Sequence, residues 1–547
     1  MAAVKARVAG ALAWLERLAA RPLGAFVLFV VALGVYAIQA VAWPLKAGRD
    51  LDEYLYAYVQ LFDRDVLLPW SMLFRTPLTP VVTGVFLDIG GGVLAEPVAA
   101  LLYAGSIVAW AAVGLAFGPR VALATSVALL AYPGYALMFH EFASETVFAA
   151  AFALWALLVT RAVRHPSLAR FTLVGLGIAL LALARPGNAV LVVFAVLPFT
   201  LRARWGQRLG WAAAVVAATV LPLSAWAVHN GLRFGDYTLA RGGNAVIPFY
   251  RAFITDRIVS PENGDASRRL GDAVEKDLLT RDPYRSYGVT LDDVFSTGSF
   301  RIHEDLYLLS DQAFGWDSDY RVLRDAGIEG VRAHPGTYAS GVLGTIWSQL
   351  AKPYYRAVPH AKRDTGGAKG EPATIEVNGR RLPAPTEGQP IPAGQVVWIS
   401  RPDQAIRQVW TSPTEWHLEF DPPPDKLRLA RIEKKMDELF AGFPDRTGNT
   451  TLATRFNQAS RWYPRPVLWL VLGVIALALS RPRDWGILVA LTLAALLVTA
   501  LNALGLFADP HFVLPVAPAF VLFGVGCLLG RRPTPLPAPG TTLADRG

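Results

Sequence analysis

The stretch LGAFVLFVVALGVYAIQAVAW, residues 23–43, is followed at once by the acidic cluster GRDLDEY, residues 48–54. A helix rises about 1.5 Å per residue, so an apolar run of this length is just enough to cross the hydrocarbon of a bilayer. Asp50, Asp52 and Glu53 then fall at the depth of the lipid headgroups. Carboxylates at that depth can serve a substrate held in the bilayer and a second one arriving from water. Lys5, Arg7, Arg17 and Arg21 precede the run and no small-residue cleavage site follows it, so it reads as a retained anchor and not as a signal peptide.

The whole chain has the same character. Of its 547 residues, 53% are hydrophobic and 17% charged, with a mean hydropathy of +0.35. That average is too apolar for an ordinary soluble enzyme and conceals two phases, a multispanning membrane part and a sizeable hydrophilic part. The single cysteine, Cys527, lies in a late apolar segment, which excludes a disulfide framework and a cysteine-based zinc site. No HExxH or paired-histidine spacing occurs among the 8 histidines. A net charge of +9 need not mean nucleic acid. The basic residues gather in short loops, at 161–170, 202–208, 481–483 and 531–532, and the positive-inside rule makes that face cytoplasmic.

Further apolar windows run over about 94–117, 121–138, 145–162, 171–200, 210–228, 466–480, 486–506 and 511–529. Window 171–200 is too long for one crossing and is interrupted by ARPGN, residues 184–188, so it reads as a hairpin with Arg185 near the outer surface. The expected fold class is an all-α polytopic membrane protein of about ten transmembrane helices, with a mixed α/β extracytoplasmic insert. The expected divisions are a cytoplasmic N-terminus at 1–22, a transmembrane core at 23–230 with its first outer loop at 44–93, the insert at 231–463, C-terminal spans at 464–530 and a disordered tail at 531–547.

Within the insert, the Asn378-Gly379 pair predicts a turn between short strands. Leu429, Ile432, Met436 and Leu439 predict an amphipathic helix over 426–440. The apolar stretch 335–350 is assigned as a helix lying on the outer membrane surface, because a further span would place Arg481 and Arg483 outside. Gly90-Gly91-Gly92 lacks the residues of a phosphate loop and reads as a flexible turn, and Asn449-Thr450-Thr451 is a glycosylation sequon of a kind that arises often by chance.

Ionisable groups beside membrane spans are expensive, and a functional role is the default hypothesis for them. On this topology Asp50, Asp52, Glu53, His140, Glu141, Glu145, Arg185, Asp509 and His511 all fall on the outer face. Each also has a plainer reading. Asp50 can cap a helix, Glu141 and Glu145 can favour a helix N-terminus, Arg185 can snorkel, and His511 can simply pack. Trp70 and Trp347 are candidates for stacking on a sugar.

In sequence order, Asp52-Glu53-Tyr54, the segment His140 to Glu145, Gly175 to Pro186, Trp226 to Gly235 and Pro510 to Pro518 resemble the motifs of the GT-C superfamily of membrane glycosyltransferases. The likeness is to the branch with the protein O-mannosyltransferases and lipid A aminoarabinose transferases, over roughly residues 20–250 and 464–530. His511-Phe512 stands where that branch commonly has Arg-Tyr. The resemblance implies inverting transfer of a sugar from a polyprenyl-phosphate donor to a hydroxyl of an envelope glycan, lipid or protein, at the outer face of the cell membrane. On that reading Asp52 is the general base, with Glu53 beside it. Glu141, Glu145 and Tyr54 contact substrate, while Arg185, backed by Arg241 and His511, meets the leaving phosphate. A divalent cation between a carboxylate and the phosphate stays open, with no ligand set assigned. Nothing in the sequence selects the sugar, whether mannosyl, arabinosyl or another. A transporter or flippase of lipid-linked sugars is the alternative from another class, and it would place polar groups on both faces of the bundle. A structural protein whose insert binds a partner is a third, and it leaves Arg185 unexplained.

Overall fold

Inside a bilayer every backbone amide must find its partner within the protein, so the apolar windows are bound to become helices. A computed structural model of the chain describes residues 10, 13–63, 66–67, 73–281, 284–285, 288–355, 374–377, 380–383, 395–401, 404–410, 416–420, 423–505 and 509–530. Among these, 7 helices are long and apolar enough to cross a membrane: Pro22–Ala42, Leu78–Leu115, Ser144–Arg164, Trp205–Phe234, Thr450–Leu479, Trp485–Gly505 and Pro510–Leu529. Shorter apolar helices at Pro119–Leu130, Leu168–Ala184 and Pro186–Thr200 occupy the remaining windows. The chain is therefore an all-α, multi-pass membrane protein with a few short strands in its hydrophilic parts.

Large apolar side chains point both ways from these helices. Trp110, Phe148, Phe152 and Trp155 are fully buried at the centre of the bundle, while Phe26, Ile38, Leu221 and Leu479 are exposed on its outside. Such an apolar exterior suits lipid and would aggregate in water.

Two details depart from the sequence expectation. The span expected from about residue 94 starts at Leu78, so most of the expected first outer loop after Thr76 is already helical. Gly90-Gly91-Gly92 is no free turn. It is a break inside that helix, with Gly91 at φ 52° and ψ −144°, where Gly442 of a distant segment comes down and the Gly92 N–H donates to the Gly442 carbonyl. A Cβ added to Gly92 would lie 2.6 Å from that carbonyl oxygen, so the approach requires glycine.

The break at residue 185 is where the sequence places it. Helix Leu168–Ala184 stops, Arg185 is extended at φ −149° and ψ 114°, and a 3₁₀ helix runs from Pro186 to Thr200. It packs back on the preceding helix.

The hydrophilic insert begins with a helical lobe whose core includes Phe249, Phe253, Leu306 and Leu323. Arg251 fastens this lobe to the bundle. Its guanidinium donates to both carboxylate oxygens of Asp256 at 2.8 and 2.9 Å, to Thr345 Oγ1 at 2.9 Å, and to the Ala503 carbonyl at 2.8 Å near the end of helix 485–505. The helix Pro335–Ala351 packs against helix 485–505 and the turn at 510–516, and leaves Leu343 and Trp347 exposed.

Antiparallel strands Thr374–Val377 and Arg380–Pro383 pair across residues 378–379, which lie outside the described residues, as does Trp70. A three-stranded antiparallel sheet follows, in the order 395–401, 404–410 and 416–420. The helix expected over 426–440 is present as Pro423–Ala441. Its buried Ile432 packs against Leu67, and Lys435 and Arg446 pair with Asp88 and Glu96 on the long broken helix. The sequon residue Asn449 caps the helix Thr450–Trp462, accepting the Leu452 N–H at 2.9 Å.

Helices 168–184 and 205–234 meet at a glycine. A Cβ on Gly175 would lie 2.4 Å from the Val215 carbonyl oxygen, and backbone cannot yield as a flexible side chain would. Gly175→Leu is expected to cost about 1–3 kcal/mol and to lower the detergent-solubilised melting temperature. Gly210→Ala, where nothing lies within 4 Å of an added Cβ, should leave that temperature unchanged or raise it.

Candidate functional site

The first helix ends at Ala42, and the chain then runs parallel to the segment ahead of helix 144–164. Lys46 and Ala47 pair with Glu141 and Phe142, the Lys46 N–H donates to the His140 carbonyl at 3.1 Å, and the Gly48 N–H donates to the Phe142 carbonyl at 3.1 Å. A Cβ on Gly48 would stand 2.6 Å from that of Ala143, so only glycine permits this pairing. Two residues on, Asp50 adopts the left-handed conformation, φ 56° and ψ 18°, and heads the helix Leu51–Val59 without making a side-chain cap bond. That turn separates the carboxylates. Asp50 lines a cavity, whereas Asp52 is exposed and takes no part in its wall.

The cavity holds about 620 Å³ at one end of the bundle, where helices 22–42, 168–184 and 485–505 finish and helix 144–164 begins. Part of its wall is charged or polar, with Arg49, Asp50, Arg75, Glu145, Arg185 and Asn188. Another part is apolar, with Ile247, Val498, Leu501 and Phe512. Tyr54 also lines it.

Two groups of charges stand there. In the first, Arg75 pairs with Glu53 and lies 3.9 Å from Asp50, Arg49 lies 3.5 Å from the other oxygen of Asp50, and the Arg75 guanidinium sits 4.9 Å from the centroid of the Tyr54 ring. In the second, Glu145 occupies the first turn of helix 144–164, a favourable place for a negative charge. It pairs with Arg185, and His511 Nε2 lies 3.5 Å from the same carboxylate oxygen. His511 Nδ1 is 4.0 Å from Glu141, which accepts the Tyr354 hydroxyl at 3.2 Å and lies 3.8 Å from Lys46 Nζ. Burial pushes the Glu141 carboxyl above the usual range, and His511 and the Tyr354 hydrogen bond pull it back. The Asp509 carboxylate accepts the His511 N–H at 2.9 Å.

The structure thus brings Asp50, Tyr54, Glu145 and Arg185 to one cavity and sets Glu53, Glu141 and His511 immediately behind its wall. Arg241 is placed differently. It contributes to the wall, but its guanidinium is 1% exposed, bound by Asp236 at 3.2 Å and by Asp311, and lies 3.4 Å from the centroid of the Trp316 ring. Two carboxylates already take up its charge. Trp347 lies away from the cavity wall. His140 points into the core, stacked on Tyr36 at 4.0 Å.

Among the described residues no group of three or more His, Cys, Asp and Glu side chains could hold a metal ion. Glu53 already faces Arg75, and Glu141 faces Lys46 and His511, so these residues do not fit a shared divalent cation. Sequence reasoning missed Arg49, Arg75 and Tyr354. The first two were detectable as cations flanking the acidic helix, but Tyr354 enters from a segment more than 200 residues away from Glu141.

No family model matches the sequence, and no curated protein matches it. Among solved structures, the apo crystal structure of ArnT from Cupriavidus metallidurans aligns with 92% of this chain and 77% of its own, at 15% identity and a TM-score of 0.30. That likeness is too distant to bear on chemistry.

His140 offers a check on this part of the core. Burial pulls its imidazole from 6.5 down to about 3, so the folded protein keeps the ring neutral while the unfolded chain protonates it below its ordinary value. The stability tied to a neutral His140 is complete above pH 6.5 and is lost as the pH falls toward 3, at about 1.4 kcal/mol per pH unit. Between about pH 6.5 and 5 the wild type should therefore lose about 2 kcal/mol more than His140→Phe, read as the difference in their melting temperatures across that range.

Proposed function

We propose that this chain is a membrane glycosyltransferase of the GT-C type, taking a sugar from a lipid-linked phosphate donor to a hydroxyl acceptor at the outer face of the cell membrane. The observation that carries the reading is the cavity's composition. One wall pairs two carboxylates with several guanidinium groups, and the other is apolar, at the ends of apolar helices long enough to cross a membrane. A lipid phosphate asks for such a place, since its chain needs apolar surface and its headgroup needs cations. The motif resemblance in residues 20–250 and 464–530 supports it independently.

On this reading the acceptor hydroxyl gives its proton to a carboxylate, attacks the anomeric carbon from the face opposite the phosphate, and the donor leaves as a lipid phosphate. Asp50 is the base we propose, because it faces the cavity, whereas Asp52, the residue the motif favours, faces water. Arg49 and Arg75 hold Asp50 in place, and Glu53 anchors Arg75. Arg185 meets the phosphate as charge develops on it, the kind of preorganised contact that lowers a barrier most. Mannosyl, arabinosyl and other donors remain equal candidates, and so do glycan, lipid and protein acceptors.

The test is transfer from radiolabelled polyprenyl-phosphate sugars to a cell-envelope extract by the purified protein. Asp50→Asn should lose about 100-fold or more in kcat, the scale of general-base catalysis, while Asp52→Asn keeps activity within a few fold. The reverse result returns the base to Asp52. Arg185→Gln should lower kcat about 100-fold, the scale of losing one preorganised contact to developing charge, and raise KM for the donor about ten-fold. Movement of a lipid-linked sugar across liposomes without any transfer would replace the enzyme with a flippase.

A further inference from the structure

Glu145 meets two basic side chains on one oxygen atom. Arg185 and His511 both reach its Oε1, and the other oxygen, Oε2, accepts only the neighbouring Ser144 hydroxyl among the contacts described. Arg185 and Glu145 both line the cavity, but Arg185, with its side chain 20% exposed, is the more open, while Glu145 and His511 stay buried at 3% and 8%. The ring lies between two carboxylates. Its Nδ1 faces Glu141, its backbone N–H is fixed by Asp509, and Tyr354 lies against it with ring centroids 5.2 Å apart.

The charges around the ring decide what its proton does. Lys46 and Arg185 are positive; Glu141, Glu145 and Asp509 are negative; Arg49 lies over the adjacent Phe512 ring and belongs to Asp50. His140, on the neighbouring segment, is turned away onto Tyr36. With a neutral imidazole this group has a negative charge in excess, facing the place where an anion would dock. With an imidazolium it is balanced. An unperturbed histidine changes charge near pH 6.5, within the range a cell visits.

We propose that His511 is a positioning residue for Arg185. Protonated, it takes over the charge of Glu145 and frees the guanidinium to turn to a phosphate in the cavity; neutral, it leaves Arg185 bound to Glu145. This rests on the reading of the cavity as a lipid-phosphate site, and it makes that site selective for acid conditions. Arginine at position 511 would supply the same charge permanently.

Binding of a polyprenyl phosphate to the full-length protein in nanodiscs, measured from about pH 6 to about pH 8.5, tests it without needing turnover. The phosphate itself gains charge over this range, so the informative quantity is the ratio of dissociation constants between proteins at each pH. His511→Asn should bind about ten-fold more weakly than wild type at the acid end, the scale of one charged hydrogen bond, and equal it at the alkaline end. His511→Arg should match wild type in acid and exceed it in alkali. In an Arg185→Gln background the three should bind alike.

If His511 only packs, both substitutions weaken binding by a ratio that does not change with pH, and the proposal is overturned. Should His511→Arg fail to fold, the convergence of wild type and His511→Asn toward alkaline pH still decides the matter. A wild type that binds no polyprenyl phosphate at any pH overturns the proposed function itself, an outcome distinct from binding that ignores residue 511.

Discussion

A buried charge beside a membrane must meet its opposite or be expelled, and this molecule is arranged around that constraint. Removing one partner from a buried pair is strongly destabilising, because the remaining charge has neither water nor a counter-ion. Four arginines among the described residues each answer to a carboxylate: Arg75 to Glu53, Arg185 to Glu145, Arg241 to Asp236 and Asp311, Arg251 to Asp256. What distinguishes the groups is where they open. Arg241 and Arg251 are sealed at 1% exposure and act as rivets of the helical lobe. Arg75 and Arg185, at 22% and 20%, line the cavity while their charge is held ready by a neighbour.

Much of this was legible in the sequence because bilayer insertion imposes a coarse rule. Apolar runs of the right length announced the bundle, and the ARPGN interruption located the extended residue at 185 to the position. The helix over 423–441 showed itself through the spacing of Leu429, Ile432, Met436 and Leu439. These features are local, and local features can be read from neighbours in the chain.

What was not legible depends on backbone conformation or on distant contacts. The motif drew attention to Asp52, but a single left-handed residue at Asp50 decides which carboxylate turns inward, and no periodicity encodes a φ of 56° outside glycine. The start of the long helix at Leu78 was hidden because its first turns cross polar Asp88 and the triple glycine. The partnership of Tyr354 with Glu141, and of Gly442 with the break at Gly91, joins segments hundreds of residues apart. The enclosure of Arg241 by Asp236 and Asp311 was hidden because sequence shows a charge without showing the acids around it.

The cavity draws its walls from residue 49 to residue 512. A ribosome delivers the chain from one end, so the acidic helix and Arg185 reach the membrane long before Val498, Leu501 and Phe512 are made. Until the last two spans arrive, Glu145 lacks His511 and the pocket lacks most of its apolar wall. The cavity is therefore completed at a single late moment of synthesis, and an interrupted chain leaves a bundle with charges in place but no enclosed space between them.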